Sequence, residues 1–455
     1  MTSIAIIWAQ FGPYHLARVV AAQQAAPGVA VHGIELSDQT REYLWRRTQT
    51  NRSLHTLFPG VATEELGFWK VFLGARRKLA DLEVQVCLVP SYWPRQSLAA
   101  LLAAKSLRLR TVMMNETHAG TARAWGLAHK IKRLLVRCFD AALVGGAPQA
   151  RYFESLGMSP DSIFPCYDAV DNDYFAQAAQ AARLNAAAWR KKLTLPQRYF
   201  LSLGRFVPKK NLHRLIVAYH RYLNCNKSPG AHLVLVGSGP EESSLKSLCH
   251  ELGIPCHEKE TAGDAQDSVD TTENERAGVH FYGFRQIEEN AVFYGLAEAF
   301  ILPSTREEWG LVVNEAMASG LPVIVSNAAG CAEDLLPALQ PQDAQQHDCV
   351  KDHPVLKRLI RRNGFVFDPE SPEEMAEAML TIDHNPGARP AFASQSISIV
   401  QTVSCQHFGR NALSAAHRAL AGPPRKRPRN ARAHSDSGIE SVGWRKTPRP
   451  GSLAD

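Results

Sequence analysis

"FILPSTREEWGLVVNEAMASGLPVIV", residues 300–325, reads as strand, turn, helix and strand in 26 residues. "FILPS" and "LPVIV" are short continuous apolar runs of the kind that fully buried strands show. "LVVNEAMASG" between them is a helical stretch that Gly320 stops. Two buried strands joined by a helix form a βαβ unit, and such strands lie parallel. The acids in this unit need explaining. Glu307 and Glu308 sit on the turn, and Glu315 lies in the helix with apolar neighbours on both sides. A bare carboxylate there is costly unless it accepts good hydrogen bonds. Gly310 lets the backbone turn into the helix, whose free N–H groups and positive dipole end then suit an anion.

The same grammar extends in both directions. Downstream of residue 197, "YFLSLGR", "HLVLVGSG", "VHFYGF", "FILPS" and "LPVIVS" read as strands separated by helical segments. Upstream, "SIAIIWA", "VQVCLVP", "RTVMMN" and "AALVGG" alternate with helices such as "HLARVVAAQQAA" and "SLAALLAAKSL". Between the two halves, "NDYFAQAAQAARLNAAAWRKKLTLP" carries no buried-strand run. The expected organisation is an α/β chain of two Rossmann-like doubly wound domains facing each other across a cleft. Residues 1–175 form the first domain, 176–196 a linker, 197–400 the second domain, 401–421 a helix packing back on the first, and 422–455 a disordered basic tail. Ligands in such sheets sit beyond the carboxyl ends of the strands, so the loops that follow strands carry the chemistry.

Composition bounds the rest. A chain of 455 residues exceeds what one core supports. Apolar content of 45% and charged content of 21% are those of a soluble globular protein, and no run reaches the roughly 18 apolar residues of a membrane span. "MTSIAIIWAQFGPYH" lacks a basic n-region and reads as a core strand rather than a signal peptide. Nine scattered cysteines fit reduced thiols, and the expected location is the cytoplasm. Cys249-His250 and Cys256-His257 are zinc-type ligands, but their spacing matches no familiar zinc module, and packing is the plainer reading. No metal site is expected. From Gly422 onward eight basic residues face three acidic ones, net +5 of the chain's +7. That tail is expected to be solvated, without specific nucleic-acid binding. Residues 257–278 and 340–353 read as surface insertions.

Two further loops match the first. In "LSLGRFVPKKNLHRL", Gly204 and Arg205 follow a strand, and Lys209 and Lys210 precede a helix that Asn211 should cap. Converging cations beside a glycine suit phosphate oxygens, although a solvated basic loop looks the same. In "LVLVGSGPEE", Gly237 makes a tight βα turn that needs no ligand to account for it. Together "GRFVPKKN", "VGSGPE", "FYGF" and "EEWGLVVNE" resemble the retaining nucleotide-sugar glycosyltransferases of glycosyltransferase family 4, of GT-B architecture. The resemblance is strongest from about 197 to 337, and "GAPQARYFESLGMSPDSIFPCYDAVDNDYF" is similar to that family's passage toward the linker.

The resemblance implies roles. Arg205 and Lys210 grip the donor diphosphate, Glu315 takes the ribose hydroxyls, and Glu307 holds hydroxyls of the transferred sugar. Amides of Gly310, Leu311 and Val312 serve the sugar and diphosphate, beside Gly204 and Gly237. Gly283, Phe284 and Arg285 line the base. It also implies retention of anomeric configuration, with no metal and no cofactor beyond the nucleotide-sugar co-substrate. The first domain departs from the family: its first loop, "AQFGPYHLAR", offers only Gly12 to the donor. The family's acceptor-domain histidine corresponds to His118 in "NETHAG", with Glu116 competing for that role; His15 reads as a capping or surface residue. In "GLAHKIKRLLVRCF", Lys130, Lys132, Arg133 and Arg137 flank Leu134, Leu135 and Phe139. Such a helix either rests on an anionic membrane or packs by its leucines under a solvated basic face. In the first case the protein is peripheral at the inner membrane surface, which suits a lipid-linked rather than a free carbohydrate acceptor. An epimerase or phosphorylase of the same architecture, or a non-catalytic sugar-nucleotide-binding protein, are the rival readings.

Overall fold

The computed structural model describes residues 2–41, 53–122, 127–226, 230–258, 276–339 and 353–422. The first sheet comprises β1 (Ser3–Trp8), β2 (Ala30–Glu35), β3 (Leu54–Thr56), β4 (Val86–Pro90), β5 (Arg110–Asn115), β6 (Ala141–Val144) and β7 (Ile163–Phe164). Its order is β3-β2-β1-β4-β5-β6-β7, parallel throughout. The second comprises β8 (Tyr199–Leu203), β9 (His232–Val236), β10 (Cys256–Glu258), β11 (Val279–Phe281), β12 (Ala299–Leu302), β13 (Val323–Ser326), β14 (Ile360–Arg361) and β15 (Gly364–Phe367). Its order is β10-β11-β9-β8-β12-β13-β15-β14, and only β14–β15 is antiparallel. These are the two doubly wound sheets expected from the alternating pattern.

Successive strand residues face opposite sides, and here both sides are buried. On β1, Ile4, Ile6 and Trp8 pack under helices Pro13–Ala25 and Cys405–Leu420, while Ala5 and Ile7 pack under Phe68–Asp81 and Arg95–Ser106. On β8, Tyr199 and Leu201 meet helices Asn172–Leu184, Ile287–Leu296 and Leu311–Ala318; Phe200 meets Leu212–Cys225 and Pro372–His384. That two-sided burial is why the strands read as continuous apolar runs rather than alternating ones.

The chain crosses between the sheets twice. Going out, the chain passes through helices Asn172–Leu184 and Ala186–Leu193, the first buried on the second sheet's helices through Phe175, Ala179 and Ala182. Coming back, helix Arg389–Val400 leads to Cys405–Leu420, which packs along Pro13–Ala25. The two crossings touch, Val170 forming a bridge with Ser404. Strand order reverses between β1 and β4 and between β8 and β12. The loops after these strands therefore line the cleft. Most of 257–278 and 340–353, and the tail beyond Gly422, lie outside the described residues.

Candidate active site

Three loops on the second sheet fit together backbone to backbone. Gly204 donates to the Val236 carbonyl (3.0 Å), Phe206 to that of Ser238 (2.9 Å), and Gly237 to that of Gly283 (2.8 Å). A Cβ on Gly237, at φ +138°, would lie 1.9 Å from the Gly204 carbonyl oxygen. The glycine at 237 is thus required by the neighbouring loop itself. Arg205 is exposed at the mouth of a small pocket lined by Gly204, Phe206, Lys210, Leu302 and Pro303. Asn211 stands at the helix start but does not cap it. At φ +57° its amide turns away and donates to Pro303 and Pro369 carbonyls, each at 2.9 Å, tying this loop to its neighbours.

Lys210 and Glu307, expected to act separately, are brought into contact by the fold. Lys210 Nζ is 2.5 Å from Glu307 Oε2, which also accepts from Ser304 Oγ at 3.0 Å. Both side chains are largely buried, at 15% and 11% exposure, so the pair is poorly screened by solvent. Lys209 meets Glu308 at 3.2 Å. Burial pushes the Glu308 carboxyl up, but Lys209 and its hydrogen bonds outweigh this and hold it below the usual range.

Gly310, at φ +109°, starts helix Leu311–Ala318, and its amide end stands beside Glu307: a Cβ on Gly310 would be 3.5 Å from Glu307 Cγ. Leu311 and Val312 are half-buried on the first turn. Glu315 is 2% exposed. Its Oε1 accepts from the Tyr14 hydroxyl of the first domain at 2.5 Å, and its Oε2 has no hydrogen bond. Burial raises this carboxyl to about 7, against the opposing pull of Tyr14, Tyr294 and Lys210. On the base side, Gly283 is at φ +65° with Phe284 half-buried, and Arg285 is buried with a guanidinium nitrogen 3.8 Å from Glu289.

The first domain supplies the facing wall. His118 Nδ1 accepts from the Gly120 amide (3.3 Å), which leaves Nε2–H to donate to the Glu307 carbonyl at 3.0 Å. Arg306 reaches the Thr121 carbonyl, Gln149 donates to that of Glu308 (2.8 Å), and Asp334 accepts from the Ala147 amide (3.1 Å). Gly12 is engaged within its own loop, where its amide donates to His15 Nδ1 at 2.7 Å. Burial and then Arg18 lower His15 to about 3, so the ring stays neutral and accepts that bond. Sequence reasoning passed over Tyr14, Arg18, Gln149, Asp168 and Asp334. Arg18 and Asp168 had a visible signal, each being a charged residue between apolar neighbours, the test applied to Glu315.

Elsewhere, Leu134 is 65% exposed and Ile131 50%. In helix Leu127–Val136, Val136 is buried in the first-domain core and Leu135 half-buried, and the packed-leucine reading fails at Leu134. Cys249 is buried in the core, His257 stacks on His280 at 4.4 Å, and no His, Cys, Asp or Glu cluster among the described residues could hold a metal ion.

Residues 197–385 match the family described as Glycosyl transferases group 1. A GDP-mannose-dependent alpha-(1-6)-phosphatidylinositol monomannoside mannosyltransferase of Mycobacterium tuberculosis is 26% identical over 324 residues, covering 68% of this chain and 70% of its own. A sulfoquinovosyl transferase of Arabidopsis thaliana is 25% identical, over 63% of this chain and 47% of its own. Among solved structures, sucrose-phosphate synthase from Thermosynechococcus elongatus superposes with TM-score 0.64 at 17% identity, over 93% of this chain and all of its own. Anabaena HepE in complex with UDP gives 0.58 at 16%, over 91% and 98%. The fold is GT-B, and the chain carries a group 1 glycosyl transferase domain. With this domain and these relatives, the protein is a glycosyltransferase of the GT-B type.

Proposed function

We propose that the protein is a retaining, metal-independent glycosyltransferase that moves a sugar from a nucleoside-diphosphate donor to an acceptor hydroxyl in polysaccharide, glycolipid or other glycoconjugate synthesis. The observation that carries this is the meeting of Lys210 and Glu307 under the amide end of helix Leu311–Ala318, beside a buried Glu315 with one oxygen unpartnered. Cleavage at the anomeric carbon builds negative charge on the leaving diphosphate. Lys210, Arg205 and the amides of Gly310, Leu311 and Val312 stabilise that charge, in the water-poor setting where fixed dipoles act most strongly. The diphosphate draws Lys210 toward itself, and Glu307 is freed to hold hydroxyls of the sugar. Glu315 Oε2 takes a ribose hydroxyl, and Gly283, Phe284 and Arg285 line the base. The acceptor attacks on the leaving-group side, and its proton passes to a diphosphate oxygen as the C–O bonds exchange.

The acceptor we favour is lipid-linked, reached by peripheral contact with an anionic membrane. Helices Phe68–Asp81, Arg95–Ser106 and Leu127–Val136 cover one face of the first sheet, sharing one core beneath it. Their sequences hold nine Lys and Arg against one Asp. Trp69 (70% exposed), Leu73 (61%), Ile131 and Leu134 stand among those charges, with Trp93 (77%) just before the second helix. Apolar side chains among cations are what an interfacial surface needs. Among the described residues no helix is long and apolar enough to cross a membrane.

The test is product analysis by NMR after incubation with a panel of nucleotide sugars and acceptors, with and without a chelator. Transfer with retained configuration, indifferent to the chelator, is expected. Inverted product or loss with chelator refutes the finer reading. Epimerised donor or free sugar phosphate assigns the protein to the rival enzymes, and nucleotide binding without turnover to a binding protein.

A further inference from the structure

The loop that carries Glu307 and Gly310 belongs to the second domain, yet side chains of the first domain help to hold it. The Glu307 carbonyl accepts from the Gly330 amide at 3.1 Å as well as from His118 at 3.0 Å, and the Trp309 carbonyl accepts from the Cys331 amide at 3.2 Å. Between them, the Glu308 carbonyl accepts from Gln149 Nε2 at 2.8 Å. Gln149 is fully buried, so its amide must find partners inside the protein.

Both ends of that amide are engaged. Its Oε1 accepts from the Gly146 amide at 3.1 Å, closing the first turn of helix Ala147–Ser155, while its Nε2 serves the loop of the other domain. An N–H on one side and a C=O on the other fix which way the amide faces. The seat is close-fitting. A Cβ on Gly330 would lie 2.7 Å from Gln149 Nε2 and 2.0 Å from the Glu308 carbonyl oxygen, and a Cβ on Gly146 would lie 2.2 Å from Asp334 Oδ2. Glycine at these two positions lets the domains approach until the amide reaches across. Asp334 completes the seat by taking the Ala147 amide on both oxygens, each at 3.1 Å.

A peptide unit is planar and trans, so its C=O and N–H point in opposite directions. Fixing the carbonyls of Glu308 and Trp309 therefore fixes the amides of Trp309 and Gly310 on the opposite edge. Gly310 opens helix Leu311–Ala318, whose amide end meets the leaving diphosphate in the mechanism proposed above. Trp309, 1% exposed, passes the constraint on, since its Nε1 donates to Asn314 Oδ1 of that helix at 2.9 Å. Charge on the diphosphate grows as the anomeric bond breaks, and donors stabilise it best when they are already in place. A misplacement of about 1 Å can cost on the order of a hundredfold in rate.

We propose that Gln149 is a positioning residue for sugar transfer: acting through the Glu308 carbonyl, it sets the Glu307–Gly310 loop from the first domain. The donor site is then complete only while the two domains are in contact. This rests on the glycosyl-transfer reading and adds to it the residue by which one domain prepares the other.

The experiment uses the full chain, with UDP-glucose, GDP-mannose and ADP-glucose as donor probes. It follows release of nucleoside diphosphate by the slow hydrolysis in which water is the acceptor, at a pH of about 8.5, which keeps an introduced acid ionised. Because that chemistry is slow, KM reports donor binding. Gln149→Glu keeps an oxygen for the Gly146 amide and loses the donor to the Glu308 carbonyl; Gln149→Met removes both ends at similar volume. In each, kcat should fall at least about fivefold while KM stays within about threefold, because the lost stabilisation belongs to the transition state. Arg151→Ala removes an exposed ion pair with Glu333, two residues further along the same helix, and should change neither constant by more than about twofold. Scanning calorimetry checks that each protein unfolds in one cooperative transition, and the Met variant decides alone if the buried acid unfolds the chain. A smaller fall in kcat in either folded Gln149 variant, a loss that appears in KM, or an Arg151→Ala protein as slow as the Gln149 variants overturns the proposal. A Met variant with no cooperative transition overturns it as well, since the residue would then hold the fold and not the loop. Wild type that releases nucleoside diphosphate from none of the probes overturns the glycosyl-transfer reading itself, and the role of Gln149 with it.

Discussion

Glu315→Gln should make the empty protein more stable in alkali and useless for its donor. Glu315 is 2% exposed, and burial lifts its carboxyl to about 7. A raised value means that the folded state holds the proton more tightly than the unfolded chain, where a glutamate titrates near about 4.3. The folded state is therefore favoured fully below that pH; the advantage drains away as pH rises toward 7 and is gone above it. A gap of roughly 2.5 units corresponds to about 3 kcal/mol lost by pH 8, but only about 1 kcal/mol at pH 5. Glutamine carries no charge to desolvate, yet weakens the bond from Tyr14 by about 1 kcal/mol. The net gain is about 2 kcal/mol at pH 8 and close to nothing at pH 5. Across the 422 residues of the compact unit, about 2.1 cal/mol/K per residue makes that a rise in Tm of roughly 2 °C. Differential scanning calorimetry of both proteins at both pH values measures it, with a nucleoside diphosphate added in a second series. A variant less stable than wild type at pH 8, or stabilised equally at both pH values, refutes the burial argument. An undiminished nucleotide-induced shift refutes the ribose contact.

Lys210→Ala should cut transfer on the order of a hundredfold while circular dichroism stays native; near-normal turnover overturns the diphosphate role. Gly237→Ala would put a Cβ 1.9 Å from the Gly204 carbonyl oxygen. It should cost at least about 2 kcal/mol in chemical denaturation, with donor binding weakened because three loops shift together. Trp69→Ser combined with Leu134→Ser should reduce flotation with anionic liposomes at least about fivefold and leave nucleotide binding unchanged; unaltered flotation removes the proposed membrane face.

Much of the fold was legible because both faces of each sheet are buried. Runs such as "SIAIIW", "HLVLV" and "VIVS" need no partner to be recognised, and the loops after them follow from the topology rule. Glu315 announced itself as an acid in an apolar helix. What stayed hidden depends on the two domains meeting. Tyr14 and Glu315 are 301 residues apart, and His118 and Glu307 are 189 apart; no local spacing encodes such pairs. The use made of the Gly12 amide is hidden for the opposite reason, since it goes to His15 only three residues away. Asn211 misled because a residue of the right type stood in the capping position, while a positive φ aimed its amide at two distant carbonyls.

Helix Cys405–Leu420, last of the described helices, shares with helix Pro13–Ala25 the cover of one side of the first sheet, where Phe408, Ala412 and Ala416 join Ile4, Ile6 and Val19. A ribosome adding about 5–20 residues per second makes β7 long before it makes that helix. For something on the order of 10–50 s the nascent amino-terminal half stands with an oily flank open to water, and a chaperone has its opportunity there. The carboxy-terminal half meets no such delay, and it can close first although it is born second.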